Sequence, residues 1–401
     1  MNASLSPVVP SPASRIAIVG AGPGGLLCAR VLQQRGLSVT VYDLDASLGA
    51  RNEGGSLDLH ADSGQLALKE AGLLQKFFQL CRYEGQAQRR YNKSGELEEE
   101  FVPAPDECGA PEIDRGVLRG LLAESLHPGT IQWRHKLSGV QPRGDGKHCL
   151  EFTNGESVET DLVIGADGAW SRVRPLLSTA KPQHTGVIFL TVRYDDVDTH
   201  HPEIARLVGD GLIVAQAAEH DAAGLSIWAQ RAGNGSVTGY FTFRADSNWA
   251  EQIGLVLTDR SVVVAWLHEK YRGWSPIFTP FLNETDAGFG NRPIVALPAP
   301  LTWEPVSGVT LLGDAAHVMP PLGQGVNLAL QDAADLAVAI SEEPNVDKAL
   351  QRYEAIMLPR AGRIAIEVNE GFNQLFSAEP GDSPDRMAEL AGYRSAATAE
   401  R

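Results

Sequence analysis

The stretch Gly20-Ala21-Gly22-Pro23-Gly24-Gly25 constrains the fold more than any other, because of what flanks it. A β-branched run, RIAIV, leads in, a helical pattern follows, and a second alternating stretch, SVTVYD, ends on Asp43. Strand, glycine turn, helix and strand within about thirty residues make a βαβ unit that binds a dinucleotide. Gly20 permits the tight turn, Gly22 lets backbone approach a pyrophosphate, and Gly24 and Gly25 let the helix start close to the strand. The helix N-terminus then meets the negative charge. Asp43 sits where an acid accepts hydrogen bonds from ribose hydroxyls, which disfavours a 2′-phosphate, so the resident nucleotide is NAD or FAD.

A second stretch, LLGDAAHVMPPLGQGVNLAL (311–330), chooses between them. A strand ending at Gly313-Asp314 places a carboxylate at the carboxyl edge of a sheet, where open α/β sheets bind ligands. Gly323-Gln324-Gly325 offers backbone amides at a helix start, suited to an anionic ring edge or a phosphate. One long cofactor satisfies both motifs: the adenosine end of FAD on Gly20–Gly25 and Asp43, and its ribityl and flavin on Asp314 and Gly323–Asn327. Only one dinucleotide fingerprint is present and no redox CxxxxC follows it, so a nicotinamide donor, NADPH or NADH, has to visit and leave.

The remaining pattern is that of a discontinuous domain. GQLALKEAGLLQKFFQL and DRGVLRGLLAESL carry helical spacing, the second opening on Asp114 as an N-cap, and KHCLEFTNGESVETDLVIGADG reads as a hairpin and a buried strand. From about 178 to 290 the texture changes to alternating strands, such as GVIFLTVRYDDV and SVTGYFTFRA. The expected division is therefore an FAD-binding domain over 1–177 and 291–345, a substrate domain over 178–290, and a C-terminal helix with a tail over 346–401, interrupted by Pro359.

Fifty acidic against thirty-four basic side chains leave a formal charge of −16, which repels nucleic acid and anionic membranes. Cys28, Cys81, Cys108 and Cys149 lie far apart, without metal-ligand spacing, and read as reduced core thiols. Residues 1–14 lack the pattern of a secretion signal, and Ile16–Leu32, the most apolar stretch, is too short and too broken by glycines to span a membrane. The expectation is a cytoplasmic monomer with no nucleic-acid partner and no membrane span.

GAGPGG, DLVIGADGAWSRVR (161–174) and GDAAHVMPPLGQGVNLALQDA (313–333) resemble the three fingerprints of single-component FAD-dependent aromatic hydroxylases, the para-hydroxybenzoate hydroxylase class. ARNEGGSLDLHADSGQLALKEAGLLQ (50–75) and PEIDRGVLRGLL (111–122) extend the likeness toward TetX-type tetracycline-inactivating monooxygenases. The resemblance implies a glutathione-reductase-like, Rossmann-type α/β domain with an inserted mixed sheet over the flavin. It also implies FAD contacts at Asp58, Arg115, Arg119, Asp314 and Gly323, Gln324, Gly325 and Val326, with Arg51 near the incoming nicotinamide. Asp167, beside Ser171 and Arg174, falls near the cofactor phosphates and the donor. The chemistry implied is hydride transfer to FAD, O2 addition to give a flavin C4a-hydroperoxide, and oxygen insertion into an electron-rich carbon. No catalytic acid or base is required of the protein.

The chain departs from the tetracycline-inactivating pattern in places. Leu44 follows Asp43 where those relatives have an arginine, and Leu322 alone separates Pro321 from Gly323 where they have two residues. Their substrate-facing Gln, Arg and His fall on Thr191, Gly211 and Thr238, whereas Asn369 matches. This implies a more apolar pocket, with Pro321, Gly323, Thr191 and Asn369 facing the substrate and Phe189, Trp228, Phe241 and Phe243 as candidate lining, although strand alternation sends some of these aromatics into the core. His317 reads as a partly exposed loop histidine, His200-His201 as part of a solvated loop and not a metal site, and ELEEEF (96–101) as a solvent face or edge. The expected activity is hydroxylation of a planar phenolic or enolic small molecule, tetracycline being one candidate. An FAD oxidase or dehydrogenase of the same fold, and a flavin-binding sensor without turnover, are the alternatives.

Overall fold

The computed structural model describes residues 15–50, 54–217 and 224–376. β1 (Ile16–Val19), wholly buried, leads through the glycine turn into α1 (Pro23–Gln34) and on to β2 (Val39–Tyr42). Pro23 stands in the first turn of α1, where its missing N–H is no loss. After α2 (Arg115–Glu124), β3 (Ile131–Gln132) and β4 (Leu162–Gly165) continue the sheet. The chain then leaves to build β5 (Gln183–Tyr194), β6 (Leu212–Gln216), β7 (Ser226–Arg231), β8 (Val237–Arg244), α3 (Arg260–Lys270) and β9 (Gly290–Ala296). It returns with β10 (Val309–Leu311), α4 (Gln324–Glu342) and α5 (Val346–Leu375).

Two sheets result. The first is parallel throughout, in the order β10-β4-β1-β2-β3, with its core in Ile18, Leu26, Val41, Ile164, Leu311 and Leu330. Strands buried on both faces read as continuous apolar runs, which is why IAIV and LVIG carry no alternation. The second is mixed and seven-stranded: β9, β5, β8, β7, β6, then Gln88–Asn92 and Leu97–Phe101. The last two strands come from the segment expected to belong wholly to the nucleotide domain, and β6 pairs with Gln88–Asn92 in parallel. The charged run 96–101 accordingly becomes an edge strand, where charge discourages pairing with other chains.

Alternation sorts the side chains of β5 and β8 onto two faces. Ile188, Leu190, Tyr194, Phe241 and Phe243 pack on one side, with Leu267 of α3 and Phe278. Phe189 and Val187 point to the other, where Trp228, Tyr240, Leu322, Phe372 and Phe376 join them. α5 runs unbroken through Pro359 for 30 residues, and its last turns supply Phe372 to that second cluster. Among the described residues no helix is long and apolar enough to cross a membrane, and none of the four cysteines is in a disulfide.

Candidate functional site

The glycine loop behaves as its spacing demands. Gly20 has φ +110°, and a Cβ there would lie 2.2 Å from the Ala166 carbonyl oxygen. One on Gly25 would lie 2.1 Å from the Gly20 oxygen, so strand and helix approach as closely as backbone allows. Gly22, the N-cap of α1, faces open space within 4 Å and no side chain caps the helix. That leaves the first amides of α1 for an anion.

Behind this loop lies a buried polar brace. Asp43 is 5% exposed, accepting from the Ala21 amide through Oδ2 at 2.6 Å and from the Asp45 amide through Oδ1 at 2.8 Å. Arg119, 2% exposed, donates to the Ala21 carbonyl oxygen at 2.9 Å and to Asp45 at 2.9 Å, and its guanidinium lies 5.5 Å from the Trp133 ring centre. Arg119 therefore holds the loop from below. Asp114 is the N-cap of α2 as expected, while its carboxylate accepts from the Gly233 amide at 2.9 Å and not from the helix, tying the nucleotide segment to the second sheet.

The return motif forms the other half. Asp314 opens a single helical turn, Asp314–His317, and its exposed carboxylate faces Gly325, whose added Cβ would stand 3.9 Å from Oδ1. Gly323 caps α4 with φ +86°, which only glycine adopts without strain. Gly323, Gln324, Gly325 and Val326 are all half-buried, at a helix start open to a ligand. Asn327 is 1% exposed: Oδ1 accepts from the His60 amide at 2.9 Å, and Nδ2 donates to the carbonyl oxygens of Asp58 and Gly323 at 2.9 and 3.0 Å. Its side chain thus fastens the helix start to the strand Ser56–Asp58. Ala329 locks the halves together, since a Cβ on Gly24 would meet its oxygen at 3.0 Å and one on Gly313 its Cβ at 2.9 Å.

His317 is a correction. It is 5% exposed, not a partly exposed loop residue, and its Nε2 lies 2.6 Å from Asp332, which is itself 0% exposed. Arg360 of α5 donates to Asp332 at 2.9 Å and to Asp335 at 2.7 Å. Burial pulls the His317 pKa down, but the adjacent Asp332 carboxylate outweighs it and the net shift is upward. Burial likewise works against the Asp332 charge, and His317 and Arg360 overcome it, holding that carboxyl below its usual range. The triad anchors the Asp314 turn to α4 and α5. Asp332 lies inside the quoted motif, but nothing in the sequence indicated Arg360 as its partner.

Between the halves, Asp167 receives the Arg172 amide on Oδ2 at 2.6 Å, while its buried Oδ1 has no partner among the described residues. Burial pushes this carboxyl upward. Arg174 donates through Nε to the Ala315 carbonyl oxygen at 2.8 Å and through Nη2 to that of Ala169 at 2.6 Å; burial lowers its pKa, against the pull of Asp167 and Asp314. Asp58 pairs with His60 at 3.2 Å, and Arg115 is exposed at the start of α2. Arg51 lies outside the described residues.

Strand register groups the candidate substrate residues. Thr191 on β5 stands opposite Tyr240 on β8, and Tyr240 opposite Trp228 on β7, so the three form one row. Phe189 joins them, its ring centre 5.5 Å from Trp228 and 5.6 Å from Tyr240. Leu322, in the loop Pro320–Gly323, packs into the same cluster, while Pro321 is exposed and Asn369 half-buried on α5. Phe241 is not part of this surface: it is 1% exposed on the opposite face, 5.6 Å from Tyr271. Phe243 shares that face, and Tyr240 is the residue that sequence reading missed. His201 sits between Glu284 and Asp286, with Nε2 2.7 Å from the latter; no metal-binding cluster occurs among the described residues.

An uncapped helix start above Gly22, an orphaned buried oxygen on Asp167, and amides at Gly323–Gly325 beside Asp314 are a donor and acceptor set that fits FAD. The chain matches the FAD binding domain family over residues 13–253 and 306–367. It is 29% identical to the monooxygenase asqM of Emericella nidulans, over 80% of this chain and 83% of that protein. Two solved structures share the fold: Klebsiella pneumoniae HpxO complexed with FAD and uric acid, at TM-score 0.74 and 20% identity over 96% of this chain and 93% of that one, and the tetracycline destructase Tet(55), at TM-score 0.71 and 21% identity over 97% and 98%. The chain belongs to the FAD binding domain family and, with its relatives, to the FAD-dependent monooxygenases.

Proposed function

We propose that the chain takes a hydride from NADPH or NADH and places one atom of O2 on an electron-rich carbon of a planar phenolic or enolic compound. One observation carries the reading. Leu322, in the loop leading into the amides of Gly323–Gly325, packs in one cluster with Phe189, Trp228 and Tyr240. The loop suited to the flavin ring and an aromatic floor suited to a planar substrate are thus in contact.

Bound FAD would supply hydride acceptance and the activation of O2; binding, orientation and a dry cavity fall to the chain. The helix start of α1 would hold the pyrophosphate, Asp314 the ribityl chain, and the amides of Gly323–Gly325 the ring edge. Trp228, Tyr240 and Phe189 would stack a flat substrate, with Thr191 and Asn369 as polar contacts that orient it. The single glycine fingerprint supports a donor that visits; Arg51 would attract its phosphates, and the exposed Arg115 would contact FAD. HpxO holds uric acid in its structure, a planar compound of the class proposed.

The test is oxidation of NADPH and of NADH under air by the FAD-loaded protein, with a panel of phenols, hydroxypyridines, purines and tetracyclines. The expected result is a compound that accelerates donor oxidation and gains one oxygen atom by mass. Donor oxidation that yields only peroxide with every compound would place the chain among oxidases.

A further inference from the structure

Just beyond the C-terminal end of β5, one imidazole is held between two carboxylates. His201, 8% exposed, is the N-cap residue of the helix Pro202–Val208. Its Nδ1 bonds Glu284, and its Nε2 stands 2.7 Å from Asp286. A neutral imidazole has one donor nitrogen and one acceptor, so only the imidazolium donates to both acids at once. Loss of the proton would set a ring lone pair against a carboxylate.

Both acids lie on the segment that feeds β9, and that segment is stitched to β5. The Asp286 amide donates to the Arg193 carbonyl oxygen at 2.9 Å, and Asp286 Oδ2, the oxygen that meets His201, also accepts from the Asp195 amide at 2.7 Å. Four residues on, Gly290 opens β9, and its carbonyl oxygen accepts from the Thr191 hydroxyl at 3.1 Å. The other charged groups around His201 are engaged or exposed. The buried Tyr194 ring packs edge-on at 5.6 Å with its hydroxyl donated to Phe281, and Asp195 is bonded to Arg193. The turn before His201 carries Asp198, paired with Arg231, and His200, whose ring centre is 6.4 Å away. Glu203 and Arg206 of the helix are exposed, and Arg260 and His268 of α3 bond Asn283. Burial works against the charge on His201, and the bonds to Glu284 and Asp286 outweigh it, so the net shift of its pKa is upward. The Asp195 amide and His201 hold the Asp286 carboxyl below its usual range.

We propose that His201 is a proton-operated latch: its doubly bonded imidazolium fastens the segment 284–290, and with it the start of β9 beside Thr191, to the helix Pro202–Val208, and loss of the proton to solvent frees that segment. The latch holds whether or not the proposed reaction is right. The folded value lies above the unfolded one of about 6.5, so the stabilisation is complete below that pH and is lost as the pH rises through the folded value.

The test is hydrogen exchange of the segment 283–290 in the full chain loaded with FAD, wild type against His201→Gln at matched pH from about 6 to about 9. At the acid end the variant should exchange roughly tenfold faster, in keeping with the loss of one charge-assisted bond. The difference should vanish as His201 titrates, a step that its ring NMR signals should show above the ordinary histidine value and that Glu284→Gln should move down. If His201→Gln fails to fold, the ring titration and its shift in Glu284→Gln carry the test. A difference that stays constant across the range, equal exchange at the acid end, or a ring that titrates at or below the ordinary value would each overturn the proposal.

Discussion

Glycines 22 and 25 differ by three positions and have opposite reasons to be glycine. At Gly25 a methyl would meet the Gly20 carbonyl oxygen at 2.1 Å, whereas at Gly22 it would meet nothing within 4 Å. Gly25→Ala should therefore destabilise the apoprotein by about 1–3 kcal/mol, the usual cost of overpacking. Gly22→Ala, at φ −78°, should unfold at the wild-type temperature yet lose most of its FAD affinity, because the open space is where the pyrophosphate belongs. Paired thermal melts and FAD titrations check this. An apoprotein Gly22→Ala that binds FAD as well as wild type contradicts the placement. Residues whose role follows from backbone chemistry were legible in the sequence, since only glycine meets those demands. Roles set by a distant partner were not: nothing near His317 announces Arg360, and nothing near Asp114 announces Gly233.

Elements set which side of a residue matters. Tyr240 and Phe241 are neighbours on β8, but Tyr240 lies in the row with Thr191 and Trp228, and Phe241 is buried beneath it against Tyr271. Phe241→Ala should cost about 3–5 kcal/mol of stability, as core aromatic truncations do, and leave substrate selectivity alone. Tyr240→Ala should spare stability and raise KM for the planar substrate roughly tenfold, the loss of one stacked ring. Urea denaturation and steady-state kinetics on both variants separate the roles, and the reverse pattern would exchange the two faces. The alternating pattern of SVTGYFTFRA was enough to predict a strand. It was not enough to decide which set of side chains packs with Leu322, because a strand shows two faces and only pairing with β5 and tertiary packing distinguish them.

At the scale of the molecule, the parallel sheet carries both glycine motifs of the candidate site, and the second sheet lays its aromatic face against the loop that begins α4. Gly24, Gly313 and Ala329 fix the halves at one separation, and the triad of His317, Asp332 and Arg360 ties that core to α5. The interleaving of sequence is what the local pattern could not reveal. The hairpin at 88–101 crosses into the second sheet because its partner is β6, more than a hundred residues later, and no local propensity records such a pairing. The fold and its relatives make this assembly a monooxygenase. The most direct test is turnover of the accelerating compound under isotopically heavy O2 in ordinary water, with products read by mass spectrometry. The account predicts one heavy oxygen atom in the product and the other in water. A product whose added oxygen comes from the solvent, or heavy peroxide with no oxygenated product, would contradict it.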